Sequence, residues 1–387
     1  MNAADARADD SRARDSAAAE LEATELEATL RLNLAEGVGP RTRRLLLERF
    51  GTAAAVLAAA PSQLREIPGI GPKLTRAISR SHQIDAGAIV SDCREHSLDI
   101  ITPESATYPV LLREIYDPPG VLFSRGSLLP EDAVAVAIVG TRHASQYGLR
   151  QAERLARGLA RSGVTVVSGL ARGIDAAAHR AAMAVGGRTV ALLAAGLLNI
   201  YPPEHRELAD QIAGQGAILS EASPRVTPHP GSFPQRNRLI SGVSLGVVVV
   251  EAAARSGALI TAGHATEQGR EVFAVPGRVD NTTSRGCHRL LREGAKLVER
   301  VEDILEELGP LTAPAPRGNG TVMHSPAELQ LNEQEQAVLN AIPSEPSPID
   351  EVVVRSGLPV HRVLSTLSVL EMRHLIRRVS GSWVVRP

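Results

Sequence analysis

Residues 166–175 read Val-Val-Ser-Gly-Leu-Ala-Arg-Gly-Ile-Asp. A β-branched run ends at Ser168, stops at Gly169, crosses a short loop through Ala171, Arg172 and Gly173, and opens an alanine-rich helix. Such a loop can point backbone N–H groups and one guanidinium, that of Arg172, at a phosphate. Asp175 falls in the first helical turn. There a carboxylate complements the helix dipole and can fix Arg172 or an N–H, so capping and ligand contact are both open for it. His179, one turn later, reads as structural.

The same strand–loop–helix figure recurs. In Ala137-Ile-Val-Gly-Thr-Arg-His-Ala-Ser-Gln-Tyr-Gly148 a strand ends at Gly140, Thr141 and Arg142 form the loop, and a helix begins near Ser145. It is not the GxGxxG fingerprint, whose middle glycine admits a pyrophosphate. Tyr147 reads as a packing residue. A third unit, 248–262, carries Ser256, Gly257 and Thr261 beyond its strand. Glu251 at that strand's end could be a catalytic carboxylate, but the favoured role is to neutralise nearby arginines. A further strand closes in the turn Ala274-Val-Pro-Gly277.

Between these units, residues 223–238 hold Arg225, Arg236 and Arg238 and no acid. Phe233, flanked by Ser232 and Pro234 and followed by Gln235 and Asn237, reads as a loop residue, a poor place for core packing. An aromatic ring beside guanidinium groups is what single strands use: the ring stacks a base and the cations take phosphates. Against this, Arg238 could pair with Glu221 or Glu251, and Asn237 could brace the loop.

The elements that must position these residues are legible. Strand-like runs at 133–139, 164–168, 189–193, 217–219, 245–250 and 271–275 alternate with helical segments, predicting an α/β fold with a parallel sheet covered on both faces. Ligands on open α/β sheets collect at the carboxyl ends of the strands. The loops therefore converge on one groove, better suited to a polymer than to a free nucleotide.

Upstream, Leu34-Ala-Glu-Gly-Val-Gly-Pro-Arg41 and Ile67-Pro-Gly-Ile-Gly-Pro-Lys73 repeat one pattern, the signature of paired helix–hairpin–helix turns. Those turns can hold a backbone phosphate or touch no nucleic acid at all. Downstream, helix-like runs near 332–342, 348–356 and 360–373, followed by short strands at 376–379 and 383–385, describe a winged helix. Six acids fall in 328–351 and six arginines from Arg355 on, so this module is electrically split. A protein contact or weak duplex binding is its favoured role. The predicted organisation is an acidic, disordered or loosely helical tail (1–30), a helix–hairpin–helix domain (31–85), the α/β domain (98–308), a linker (309–327) and the winged helix (328–387).

Composition narrows the classes further. Net charge is −1, so bulk charge does not announce a nucleic-acid binder. Two cysteines without ligand-spaced partners argue against a disulfide framework or a zinc site. No apolar run approaches a membrane span, and the acidic N-terminus resembles no leader, so a cytoplasmic location is expected. No hydrolase elbow, zincin motif or Walker lysine occurs, and no metal or cofactor is predicted.

Taken in order, Tyr108–Gly126, Gly140–Gly148, Ser168–Asp175, Tyr201–His205, Phe233–Arg238, Val250–Ala252, Ser256–Ala262 and Gly269–Gly277 closely resemble the DNA-processing protein A (DprA/Smf) family across nearly all of 98–298. The resemblance implies an extended Rossmann domain that binds single-stranded DNA and forms a homodimer. It implies protection of incoming strands and loading of the RecA recombinase in natural transformation, with a single-strand-binding protein as a further partner. By motif position, Arg142 contacts DNA, Phe233 stacks and the 169–173 loop seats phosphates. The segment 286–294 matches a helix near the family's dimer interface. Residues 222–227 depart from the family's usual turn, which brings Arg225 forward as an added phosphate contact. The competing reading is a nucleotide-processing enzyme of the phosphoribohydrolase-related class. Residues 251–257 lack that class's paired acids.

Overall fold

The computed structural model describes residues 23–308, 331–343, 345–373, 375–380 and 382–386, with short pieces at 315–316, 322–323 and 328. Residues 1–22 of the expected tail and most of the expected linker lie outside these. Among the described residues one sheet holds nine strands: β1 (Asp99–Ile101), β2 (Leu122–Gly126), β3 (Ala135–Val139), β4 (Thr165–Ser168), β5 (Thr189–Leu193), β6 (Ala217–Ser220), β7 (Gly246–Val249), β8 (Glu271–Ala274) and β9 (Lys296–Leu297). Their spatial order is β1-β2-β6-β5-β4-β3-β7-β8-β9. Strands β3 to β9 run parallel. Strands β1 and β2 are antiparallel additions at one edge, which the sequence reading did not foresee. They are short, and Pro118 and Pro119 lie just ahead of β2, so their local signal is weak.

The helices are α1 (residues 23–34), α2 (Pro40–Phe50), α3 (Ala53–Ala58), α4 (Pro61–Leu64), α5 (Pro72–Arg80), α6 (Ala86–Glu95), α7 (Val110–Arg113), α8 (Gln146–Arg161), α9 (Ile174–Met183), α10 (Arg206–Gln215), α11 (Ser232–Gly242), α12 (Gly257–Glu267) and α13 (Arg285–Arg292). Alternation along β3 shows why the sheet is covered twice. Ala135, Ala137 and Val139 pack into one layer with α11, α12 and α13. Val136 and Ile138 pack into the other with α8 and α9. A strand apolar at every position has no face to offer water.

Chain order sets where a site can form. From β3 the chain moves outward through β4, β5 and β6, then returns to the other side of β3 for β7, β8 and β9. The reversal between β3 and β7 leaves a crevice at their carboxyl ends, the place where doubly wound sheets bind ligands.

Ahead of the sheet, the paired hairpins form as expected. Gly37 and Gly69 take φ of +83° and +88°, Gly39 and Gly71 are extended N-caps, and Pro40 and Pro72 begin α2 and α5. Over 23–30 the acidic tail takes the helical alternative, as a packed helix and not a loose one. Ala28 and Leu32 pack among the hairpins, and Leu30 packs under the sheet. Glu25 accepts the N–H groups of Ala53 and Ala54 at 2.6 and 3.1 Å. An acid that reads as solvated thus caps a helix 28 residues away.

The C-terminal module has helices Glu333–Ala341, Ile349–Ser356 and Val360–Met372, and the wing strands Arg377–Ser380 and Trp383–Val385. A third strand, Ser347–Pro348, pairs with Trp383–Val385. Its split charge closes on itself: Arg373 pairs with Glu335, Arg355 with Glu351 and Arg378 with Glu371, at 3.1, 2.8 and 3.1 Å.

Candidate nucleic-acid interface

The crevice at the β3/β7 reversal has a volume of about 300 Å³. Its floor comes from the β3–α8 loop (Gly140, Thr141, Arg142), one wall from α11 (Phe233, Arg236, Asn237) and the other from the start of α12 (Ser256, Gly257, Thr261). Ala171 and Asp175 close the end nearest β4. Close contacts set these loops. A side chain at Gly140 would strike Ile174, and one at Gly173, where φ is +73°, would strike the Thr141 carbonyl.

Phe233 lies in the first turn of α11, not in a loop. The Arg142 guanidinium sits over its ring at 4.9 Å from the centroid, and the Tyr201 ring meets it edge-on at 5.7 Å. Arg142 is exposed and has no carboxylate partner among the described residues. A cation on an aromatic face, open to water, can take a phosphate while the ring takes a base. Tyr201 is the residue that sequence reasoning missed. Its signal was its rarity, as one of four tyrosines beside a Pro-Pro pair.

The loop after β4 differs from expectation. The two N–H groups of Gly169 and Ala171 donate to the Asp175 carboxylate at 3.1 and 3.3 Å, so the chain's own carboxylate already occupies the cradle. Burial raises the Asp175 carboxyl above the usual range, while the Arg236 charge and the two N–H bonds pull the other way. Arg236 lies beneath the loop and donates to the carbonyls of Gly169, at 2.6 Å, and Leu192. Burial lowers its guanidinium to about 10. A Cβ at Gly169 would lie 2.6 Å from that guanidinium and push it off its carbonyls. Leu170 takes φ +55° and is held by full burial and by His205, whose Nδ1 lies 2.9 Å from its carbonyl.

The N-terminus of α8 is likewise filled. Glu251 accepts from Ser145 N and Oγ at 2.9 and 2.6 Å. Its role is therefore to cap a helix rather than to neutralise the arginine cluster. Tyr147 donates to the Pro276 carbonyl at 2.7 Å and pins α8 to the β8 loop, while His179 bonds Thr189 in the core.

Several predicted arginines belong to the fold. Arg225 makes a two-pronged pair with Asp92, both bonds 2.6 Å, away from the crevice. Arg238 is enclosed between Glu221 and Asp117 at 2.7 and 3.1 Å. Arg172 pairs with Glu204 at the rim, an exposed contact that a phosphate can displace. Ser168 is buried and donates to the Ile138 carbonyl at 2.6 Å. Gly277 packs against Ser284. Gln235 is exposed on α11 but outside the crevice lining. Asn237 lies within α11, not in a loop, and donates to the Gly257 carbonyl at 3.2 Å, bracing α11 against α12.

Comparison with known proteins decides the family. The model of DNA recombination-mediator protein A matches residues 99–309, more than half of the chain. The chain belongs to this family. The flanks match a DprA winged helix domain at 323–382 and a SAM-like helix–hairpin–helix tandem at 30–80. Protein Smf of Synechocystis sp. is 34% identical, covering 89% of this chain and 95% of that protein. Protein Smf of Escherichia coli is 43% identical, covering 74% and 76%. The X-ray structure of DNA processing protein A from Streptococcus pneumoniae superposes with a TM-score of 0.66 at 36% identity, covering 73% of this chain and 98% of that one. The family resemblance and the fold class read from sequence both stand.

Proposed function

We propose that the crevice binds single-stranded DNA, with Phe233 stacking a base and Arg142 taking the adjoining phosphate. The observation that carries this reading is the solvent-open Arg142–Phe233–Tyr201 stack at the strand-order reversal. Thr141, Ser256, Gly257 and Thr261 line the path on either side of it, and Arg172 adds a rim phosphate contact. Asp175 and Glu251 fill the nests after β4 and β3, so at those two loops side chains supply the positive charge.

The same two carboxylates favour a binding role over an enzymatic one. Asp175 accepts from two chain N–H groups and Glu251 from a chain N–H and the Ser145 hydroxyl, so both serve the fold. On this reading the protein shields an incoming strand and hands it to the RecA recombinase in transformation, acting from the cytoplasm as a homodimer through the region of α13. Support for these partners comes from family membership.

Arg142→Ala and Phe233→Ala are each expected to weaken binding of a labelled single strand by fluorescence anisotropy, the latter by about 1–3 kcal/mol. Unchanged affinity in both variants would remove the assignment. Release of free base from nucleoside monophosphates by the purified protein would instead favour the hydrolase reading.

A further inference from the structure

The crevice does not end at Arg142. Arg142 and His143 also line a second hollow, of about 510 Å³, between α8 and α9, which carries Arg157 and Arg180. Arg157 then lines a third, of about 470 Å³, with Arg154, Arg161 and Arg300. Because neighbouring hollows share lining residues, they form one trough leading from the crevice across the outer face of α8.

The sequence of α8 builds that face. Arg150, Arg154, Arg157 and Arg161 follow i, i+4, i+7 and i+11 spacing, which aligns them on one side of a helix over about 16 Å. All four are exposed, as are Arg180 and Arg300. Two carboxylates, Glu153 and Glu302, line the trough. Glu153 meets Arg157 at 3.3 Å and Asp303 meets Arg300 at 3.1 Å, exposed pairs of the weak kind. Arg150, Arg161 and Arg180 have no carboxylate partner among the described residues. No Phe, Tyr or Trp lines either hollow, and the one aromatic ring, His143, stands at the crevice end, so the trough beyond it offers bases no aromatic face.

We infer that a strand leaving the crevice runs along this α8–α9 trough, held through its phosphates alone. The inference rests on the single-strand reading of the crevice. It adds a second, sequence-independent segment to the site and makes affinity depend on strand length.

The test uses the full chain and a ladder of labelled single strands from about 4 to about 16 nucleotides, spanning known single-strand site sizes. Affinity is measured against salt for the native protein, for R157A/R161A/R180A and for R157K/R161K/R180K. The shortest strands are expected to bind all three alike. On the longest strand the alanine variant is expected to lose affinity, with a slope of log affinity against log salt shallower by about 2, or about 0.7 per lost phosphate contact. The lysine variant is expected to keep the native slope, since a point charge suffices for a phosphate. Identical slopes for native and alanine proteins on the longest strand would overturn the trough. So would equal loss by the alanine variant on strands of every length. If Arg142→Ala and Phe233→Ala leave short-strand binding intact, the crevice reading fails, and the trough fails with it.

Discussion

Arg142 and Arg236 stand close together in the same crevice and have opposite fates. Arg142 rests on Phe233 in contact with water, whereas Arg236 is sealed beneath Gly169 and bonded to two carbonyls. Residue type does not separate them; the space around them does. Gly169→Ala would bring a methyl to 2.6 Å from the Arg236 guanidinium and displace it. Loss of its charged hydrogen bonds in a buried site is expected to cost about 2–3 kcal/mol, read as a fall in Cm at unchanged m-value. Asp175→Ala is expected to be at least as damaging, since it strands two loop N–H groups and leaves Arg236 without its nearest opposing charge. Full native stability in both variants would show that the loop is not held together this way.

At the scale of elements, α9 is tied to β5 through a buried histidine. His179 Nδ1 lies 2.7 Å from Thr189 Oγ1, and burial lowers its imidazole from 6.5 to about 3. The folded chain therefore holds this ring neutral while the unfolded chain protonates it below about 6.5. Between those limits the unfolded state binds more protons, so stability falls as pH falls. One proton gives a slope of about 1.4 kcal/mol per pH unit. Urea unfolding at pH 7 and pH 5 is expected to show this loss, and His179→Gln to remove most of the slope at some cost in stability at pH 7. An equal slope in both proteins would assign the acid sensitivity elsewhere. The elements themselves were largely legible in the sequence. Apolar runs marked β3 to β8, and the repeated glycine–proline pattern marked α2 and α5, because period and positive φ are local properties. Phe233 was misplaced because its flanking Ser232 and Pro234 suit a loop and a first helical turn equally.

At the scale of the whole molecule, three modules share one chain, and the crevice lies wholly within the central one. A chain truncated after Leu308 is expected to keep the single-strand affinity of the full protein in a mobility-shift assay. The paired charges of the winged helix support that expectation. Three of its arginines already have carboxylate partners, leaving little net positive surface for duplex DNA. A marked loss of single-strand binding on truncation would move part of the site into the winged helix. Among the described residues no helix is long and apolar enough to cross a membrane, and no cluster of His, Cys, Asp or Glu is suited to a metal.

The sequence by itself determined the order of strand, loop and helix, the two hairpin turns, the wing and the family, all carried by residues adjacent in the chain. It also brought Arg142 and Phe233 to one groove, because parallel strands deliver their carboxyl ends to a common edge. Only the tertiary structure decided which positive groups remain for a ligand. Arg225 is matched by Asp92, Arg238 by Glu221 and Asp117, and the α8 N-terminus by Glu251, partners up to 133 residues away. Such pairings depend on where the folded chain brings its charges, and no local window of sequence contains them. The local sequence at 169–175 left Asp175 two uses, a ligand contact or a cap; in the folded chain it turns back onto Gly169 and Ala171, above the buried Arg236.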